Sequence, residues 1–320
     1  MRTWGLVLLC ALAGPALVAA CGSRTGLLSS APSDASTSDS PPDAAEEADA
    51  GEEVGDAPFV VPDGPDICPD AGATLIYLIT ETNDLFSFYP PTLAFRHIGP
   101  LSCPGAGTAT PFSMAVDRQG IGRSSFSDGT LYLVDMRTAA CVGTTFQPDQ
   151  LGFQTFCMGY AANDADGGDA GETLYVAECN VLQSPPPDSM GLATLDTASL
   201  TLSYVAPFSP PIRGPELTGT GDGRLFGFYT NPNQNETGSH IVQIDRGTGA
   251  ILQDYPLQVG TPNDGYAFAF WGGVFWVFTF SGPSLPTIVT RFDPATRSET
   301  MVASMPEGVV GAGVSTCAPM

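Results

Sequence analysis

Ile244-Asp245-Arg246-Gly247-Thr248-Gly249 closes one β-like run and opens the next, and its pattern returns along the chain. Leu131-Tyr132-Leu133-Val134-Asp135 with Thr138, Leu195-Asp196-Thr197, and Phe292-Asp293 with Thr296 each show an apolar strand ending in Asp, with Thr close by. An Asp at such a turn accepts hydrogen bonds from backbone amides two residues on, which makes a hairpin corner. One copy is degenerate, with Tyr89-Pro90-Pro91-Thr92 where the Asp would stand. Working outward, an apolar strand precedes each corner: Leu75-Ile76-Tyr77, Ile121, Leu174-Tyr175-Val176, Leu225-Phe226 and Val274-Phe275-Trp276. They recur about every 50 residues, so the chain is a repeat. A further strand leaves each corner, as in residues 201–206 and 250–257. Copies two to five open with one more, at residues 113–116, 156–161, 217–221 and 266–271.

Four strands per unit of about 50 residues make the blade of a β-propeller. No segment keeps a helical period for three turns, so the expected fold is all-β, with five four-stranded blades. Copy one lacks its first strand, while Val309-Val310-Gly311-Ala312-Gly313-Val314-Ser315 belongs to no unit. If that strand completes copy one, the ring closes and its open edges disappear. Cys317 would then leave the shared strand beside the point where Cys68 leads into Leu75, so a Cys68–Cys317 bridge would lock the closure. Cys157 and Cys179 lie on consecutive strands of copy three, facing each other across an antiparallel pair; Cys103 and Cys141 pair by elimination. The acidic corner with Thr resembles the repeats of quinoprotein-like and related YVTN-type bacterial propellers. That resemblance bears on fold and not on activity. The vicinal cysteines of quinone-binding enzymes are absent.

The first residues read as a targeting segment. Arg2 is followed by an apolar run, residues 4–18, that is too short to span a bilayer, which takes about 20 apolar residues. The run ends in Leu17-Val18-Ala19-Ala20-Cys21, which resembles the lipobox of bacterial lipoproteins. The resemblance implies cleavage after Ala20, acylation of Cys21 and, with Gly22 and not Asp following, residence in the outer membrane. Residues 22–66 are Ser, Ala, Pro, Gly, Asp and Glu with almost no large apolar side chain before Phe59. Such a composition cannot offset its conformational entropy, so a disordered acidic tether is expected. The expected organisation is a signal peptide at 1–20, lipidated Cys and tether at 21–66, and the propeller at 67–320. No second long apolar stretch follows, so the only expected membrane contact is the lipid.

The net charge is −23, and all 11 basic residues are Arg. A chain this acidic repels nucleic-acid phosphates, which excludes that class of partner. Of the eight cysteines, Cys10 lies in the leader and Cys21 takes the lipid; the six left form an even set suited to an oxidising compartment. With only His97 and His240 and no CxxC pair, zinc chemistry has little to build on.

Three groups of residues invite a chemical reading. Asp164, Asp166, Asp169 and Glu172 crowd a Gly-rich loop, as a hard oxygen-loving ion such as Ca2+ requires; no other cofactor is expected. Their spacing departs from the EF-hand rule, and an acidic hairpin tip without metal has the same composition. The aromatic run of residues 266–280, turning at Gly272-Gly273, would pack a blade on both faces or offer a sugar-stacking platform. Glu81, Glu178, Glu216, Asp222 and Asp264 could supply the paired carboxylates of a propeller glycosidase, although spacing cannot bring two together. No GxSxG nucleophile motif is present, and the Asn235-Glu236-Thr237 sequon carries no information in a bacterial chain.

The sequence therefore points to a monomeric, lipid-anchored binding module that recognises a protein or a glycan with its end loops. The competing reading is a secreted glycosidase- or lactonase-like hydrolase with an axial carboxylate site. Cys21→Ser should move the protein from the membrane to the soluble fraction. Metabolic labelling with palmitate checks it: a membrane-bound wild type that takes up no label would refute lipidation.

Overall fold

Each corner is shaped by the side chain of its Asp. Oδ1 of Asp245 accepts the amides of Gly247 (3.0 Å) and Thr248 (2.9 Å) and the hydroxyl of Thr248 (2.8 Å). Asp196 holds the amides of Ala198 and Ser199, and Asp293 those of Ala295 and Thr296. Asp135 accepts the amide of Arg137 and binds its guanidinium as well. The fifth residue of every corner is left-handed: Leu93 (φ 56), Ala139 (φ 62), Leu200 (φ 56), Gly249 (φ 68) and Arg297 (φ 56). Only one of these is Gly. The others sustain a conformation that costs roughly 1–2 kcal/mol per side chain, offset where an Asp gathers the loose amides.

The computed structural model describes residue 68 and residues 74–164, 171–179, 188–230, 238–259, 265–282 and 284–320. Every described residue belongs to the unit that spans residues 54–320. Cys21, the segment 22–66, Asp166, Asp169, Asp264 and the Asn235 sequon lie outside the described residues.

Five antiparallel four-stranded sheets form the blades of a β-propeller. Blade one contains β1 (Ile76–Thr80), β2 (Asp84–Tyr89) and β3 (Ala94–Pro100), and blade two β4 (Pro111–Val116), β5 (Ile121–Phe126), β6 (Leu131–Asp135) and β7 (Cys141–Gly143). Blade three is β8 (Phe156–Ala162), β9 (Glu172–Glu178), β10 (Leu192–Asp196) and β11 (Thr201–Ala206). Blade four is β12 (Glu216–Gly219), β13 (Leu225–Thr230), β14 (Ser239–Ile244) and β15 (Ile251–Leu257). Blade five is β16 (Gly265–Trp271), β17 (Val274–Phe280), β18 (Thr287–Asp293) and β19 (Ser298–Met305). The last strand, β20 (Val309–Val314), pairs with β1 in the register Ile76↔Val314 to Ile79↔Gly311, and so completes blade one from the other end of the domain. The strand count and the shared blade are those expected from the repeat.

The innermost strands β20, β4, β8, β12 and β16 pack in that order, and β16 returns to β20. Between neighbouring blades lie five apolar clusters, one per interface. Alternation assigns each side chain to one of them. In blade five, Phe268, Phe270, Phe275 and Val277 face blade four, where Phe226 and Phe228 meet them. Ala267, Ala269, Trp276 and Phe278 face Ile76, Leu78 and Phe88 of blade one. The aromatic run is therefore inter-blade packing; Phe268, Phe275, Phe278 and Phe280 are fully buried, and a sugar platform there is ruled out.

Three disulfides join Cys68 to Cys317, Cys103 to Cys141 and Cys157 to Cys179. The first spans 249 residues of sequence with its Cα atoms 5.2 Å apart. Loop-length arithmetic gives such a bond up to about 5 kcal/mol. The double substitution Cys68→Ser, Cys317→Ser should lower the melting temperature and leave the far-ultraviolet circular dichroism unchanged. Removing residues 309–320 should abolish cooperative folding; a soluble, protease-resistant product would overturn the closure of the ring.

Candidate functional site

In a propeller the axis and its two mouths are the natural places for a site, and here the axis is filled. The innermost strands approach so closely that some positions admit no side chain. A Cβ on Gly159 would stand 2.7 Å from the backbone of Leu217, one on Gly313 3.1 Å from the amide nitrogen of Val116, and one on Gly219 would strike the carbonyl of Tyr160. Where side chains do fit, they bond to each other. The Ser113 hydroxyl of blade two donates to Oε2 of Glu216 in blade four (2.9 Å) and accepts the Met158 amide of blade three (3.1 Å). One hydroxyl thus ties three blades, two of them not neighbours. Ser113 is wholly buried, and burial pushes the Glu216 carboxyl well above its ordinary range. Burial first, and then the charge of Glu216, raise the Tyr266 hydroxyl above its ordinary range, and it reaches the Gly214 carbonyl.

One mouth is closed by the chain itself. After β20, residues 315–318 are buried. Cys317 is bonded to Cys68, the Thr316 carbonyl lies against Gly221 of blade four, and the Pro319 carbonyl accepts the Gly272 amide of blade five (2.7 Å). Arg118 of blade two donates from Nε to the Thr316 hydroxyl (2.8 Å), which in turn donates to Oε2 of Glu172 in blade three (2.8 Å). The Arg118 amide serves Oε1 of the same carboxyl (2.9 Å), with the guanidinium 3.9 Å from Oε2. Segment 315–320 is therefore a plug held by every blade.

These contacts decide how the candidate residues stand. Glu172 opens β9, paired with Ala162, and both of its oxygens are engaged inside the plug beside a guanidinium, so it offers nothing to a cation. Among the described residues no group of three or more His, Cys, Asp or Glu is arranged to hold a metal ion, and Asp166 and Asp169 are not among them. Asp222 sits at the plugged end, paired with Arg224 at 2.8 Å. Glu81 lies at the opposite end, in the β1–β2 turn, its amide bonded to the Gly308 carbonyl. Glu178, buried at the end of β9, accepts the Met190 amide, and Glu216 holds Ser113. The described acids serve different partners and share no bond. His97 and His240 are each paired to a surface Asp, Asp84 and Asp254.

The other end carries the long connections, residues 101–110, 144–155 and 207–215, where the plugged end has mostly tight turns such as 117–120 and 220–224. Long loops on a rigid scaffold are where recognition resides. Between blades one and two, the 101–110 connection, Asn83 of the β1–β2 turn and Phe126 line an open pocket of about 330 Å³ with no charged side chain in its wall. No helix among the described residues is long and apolar enough to cross a membrane.

No family model matches the chain, and no curated protein matches it. Three solved structures resemble it distantly. A chain of a nidogen/laminin complex is 11% identical, with a TM-score of 0.47 over 76% of this chain and 98% of that one. Hydrazine synthase of Kuenenia stuttgartiensis is 13% identical, TM-score 0.37, over 75% and 68%. The tricorn protease is 10% identical, TM-score 0.34, over 72% and 25%. None of these likenesses bears on activity.

The plug gives a pH signature. Burial raises Glu172 from an ordinary 4.5 to about 7, against the pull of Thr316 and the Arg118 amide. Between those values the folded protein keeps a proton that the unfolded chain has released. The stability from this group is full below about pH 4.5 and lost as pH rises to about 7, by about 3 kcal/mol. Glu172→Gln should therefore flatten the dependence of melting temperature on pH across that window, with Glu216 unchanged in both proteins. Parallel curves for wild type and variant would show that Glu172 titrates normally.

Proposed function

We propose that this chain is a lipid-anchored outer-membrane protein whose propeller is a binding module for a protein or glycan, used through the loop face. The observation that carries the reading is the Cys68–Cys317 bond: whatever precedes Cys68 enters the domain at the plugged mouth. An anchor at Cys21, reached through the acidic segment 22–66, then leaves the loop face as the unobstructed one. The uncharged pocket at Asn83 and Ser102 lies on that face. Binding is favoured over hydrolysis because Glu216, the acid best placed for axial chemistry, is locked to Ser113 in a filled axis.

The reading is tested on a glycan array and on solubilised envelope fractions, with the protein immobilised in two ways. Attachment near Cys68 should leave saturable binding intact, and attachment through the Asp128 turn on the loop face should block it. Turnover of a glycoside or lactone that disappears in Glu216→Gln or Glu178→Gln would replace this proposal with the hydrolase.

A further inference from the structure

Three large apolar side chains stand exposed together at the loop-face edge of blade three: Leu151 at 47%, Met190 at 49% and Tyr204 at 48%. They are one surface. The Tyr204 hydroxyl donates to the Met190 carbonyl (3.0 Å), and the Met190 methyl lies over Gly152, beside Leu151. The patch is also built to stay as it is. Gln150 reaches the edge of β11 with both ends of its amide, accepting the Leu202 amide and donating to the Leu200 carbonyl, each at 3.0 Å. This covers the outer edge of β11 at Leu200 and Leu202. The same short turn holds Asp149 (φ 64) and Leu151 (φ 58) in the left-handed region.

Acids frame the patch. Asp149 and Asp188, each two residues from an apolar member, are exposed, and Glu178 lies beneath with its carboxylate on the Met190 amide. Arg213 bridges Asp188 through the backbone and is a base on this rim. Two copies of a chain with net charge −23 repel, and three side chains fall well short of the roughly 800 Å² per partner of a stable interface. An anionic membrane surface is repelled in the same way.

We propose that this patch is a docking surface for a cationic amphipathic segment of a partner protein, its apolar side chains on Leu151, Met190 and Tyr204 and its Lys or Arg toward Asp149 and Asp188. The proposal rests on the reading of the domain as a binding module and names the surface and the kind of ligand. Peptide-recognising proteins use apolar anchors with charges on the rim in this way.

The test uses the full chain carrying Cys21→Ser and a labelled helical peptide of Leu and Lys with its apolar residues on one face. Two controls have Glu in place of Lys, or the same composition scrambled. Fluorescence anisotropy at near-physiological salt should show binding of the first peptide only. Leu151→Ser with Tyr204→Ser should weaken it at least tenfold, and Met190→Gln alone several-fold. Leu252→Ser with Met301→Ser, at exposed apolar positions of other blades, should change it less than twofold. Asp149→Asn with Asp188→Asn should weaken binding and flatten its dependence on salt. Equal losses in patch and control variants would reveal general attraction to an acidic protein and overturn the proposal. So would a concentration-dependent dimer in sedimentation that Leu151→Ser abolishes, since the occupant would then be a second copy. If the patch fails while the two immobilisation results hold, this surface is wrong and the binding module stands.

Discussion

The pairing of β20 with β1 is the contact on which the other contacts depend. A row of blades has two open ends; joining them turns four inter-blade interfaces into five and leaves no blade with one face in water. Without β20, blade one loses its inner strand, and with it Val309, Ala312 and Val314 from the cluster shared with blade five. The plug goes too, since residues 315–320 follow directly. Each cluster holds about ten buried apolar side chains at about 1.5–3 kcal/mol apiece before entropy is counted, so losing one interface would exceed the net stability of a typical domain.

Closure also explains why polar groups lie where burial is most complete. Five inner strands can meet only where small residues let them approach, and each is the edge of its sheet, so amides facing the axis need acceptors from elsewhere. Ser113 takes one of them from Met158 and passes a hydrogen bond on to Glu216. Arg118, Thr316 and Glu172 do the same for the plug, where the segment crosses blades that are not its own. Aliphatic groups in these places would leave buried donors such as the Met158 amide without acceptors, at about 1–3 kcal/mol each.

What the sequence made legible was whatever depends on near neighbours. The Asp corners, the alternating strands and the Gly-Gly turn of blade five each announce themselves within a few residues. The closure was legible because a strand was missing at one end and spare at the other, with a cysteine beside each. The axis was not legible: Ser113 and Glu216 are 103 residues apart, and a serine in a strand carries no mark of its partner. Glu172 was misleading in a more instructive way. Its neighbours in sequence are the carboxylates of an acidic loop, so composition grouped it with Asp164, but its register opposite Ala162 makes it the first residue of a buried strand. The blade-three patch had no signal at all, since Leu151, Met190 and Tyr204 come from three separate connections and strands.

Because β1 waits for β20, the ring is the last thing this chain can make. A polypeptide made from its amino end delivers β1 early and must supply more than 200 further residues before that strand finds its second neighbour. Until then the partly made domain shows an unpaired edge to any chaperone or protease it meets. Once the strand is seated and its cysteine joined, opening means undoing a pairing, an interface and the plug together. What guards the finished protein is thus the slowness of its opening: it persists as a clasped bracelet does, by the rarity with which the clasp lets go.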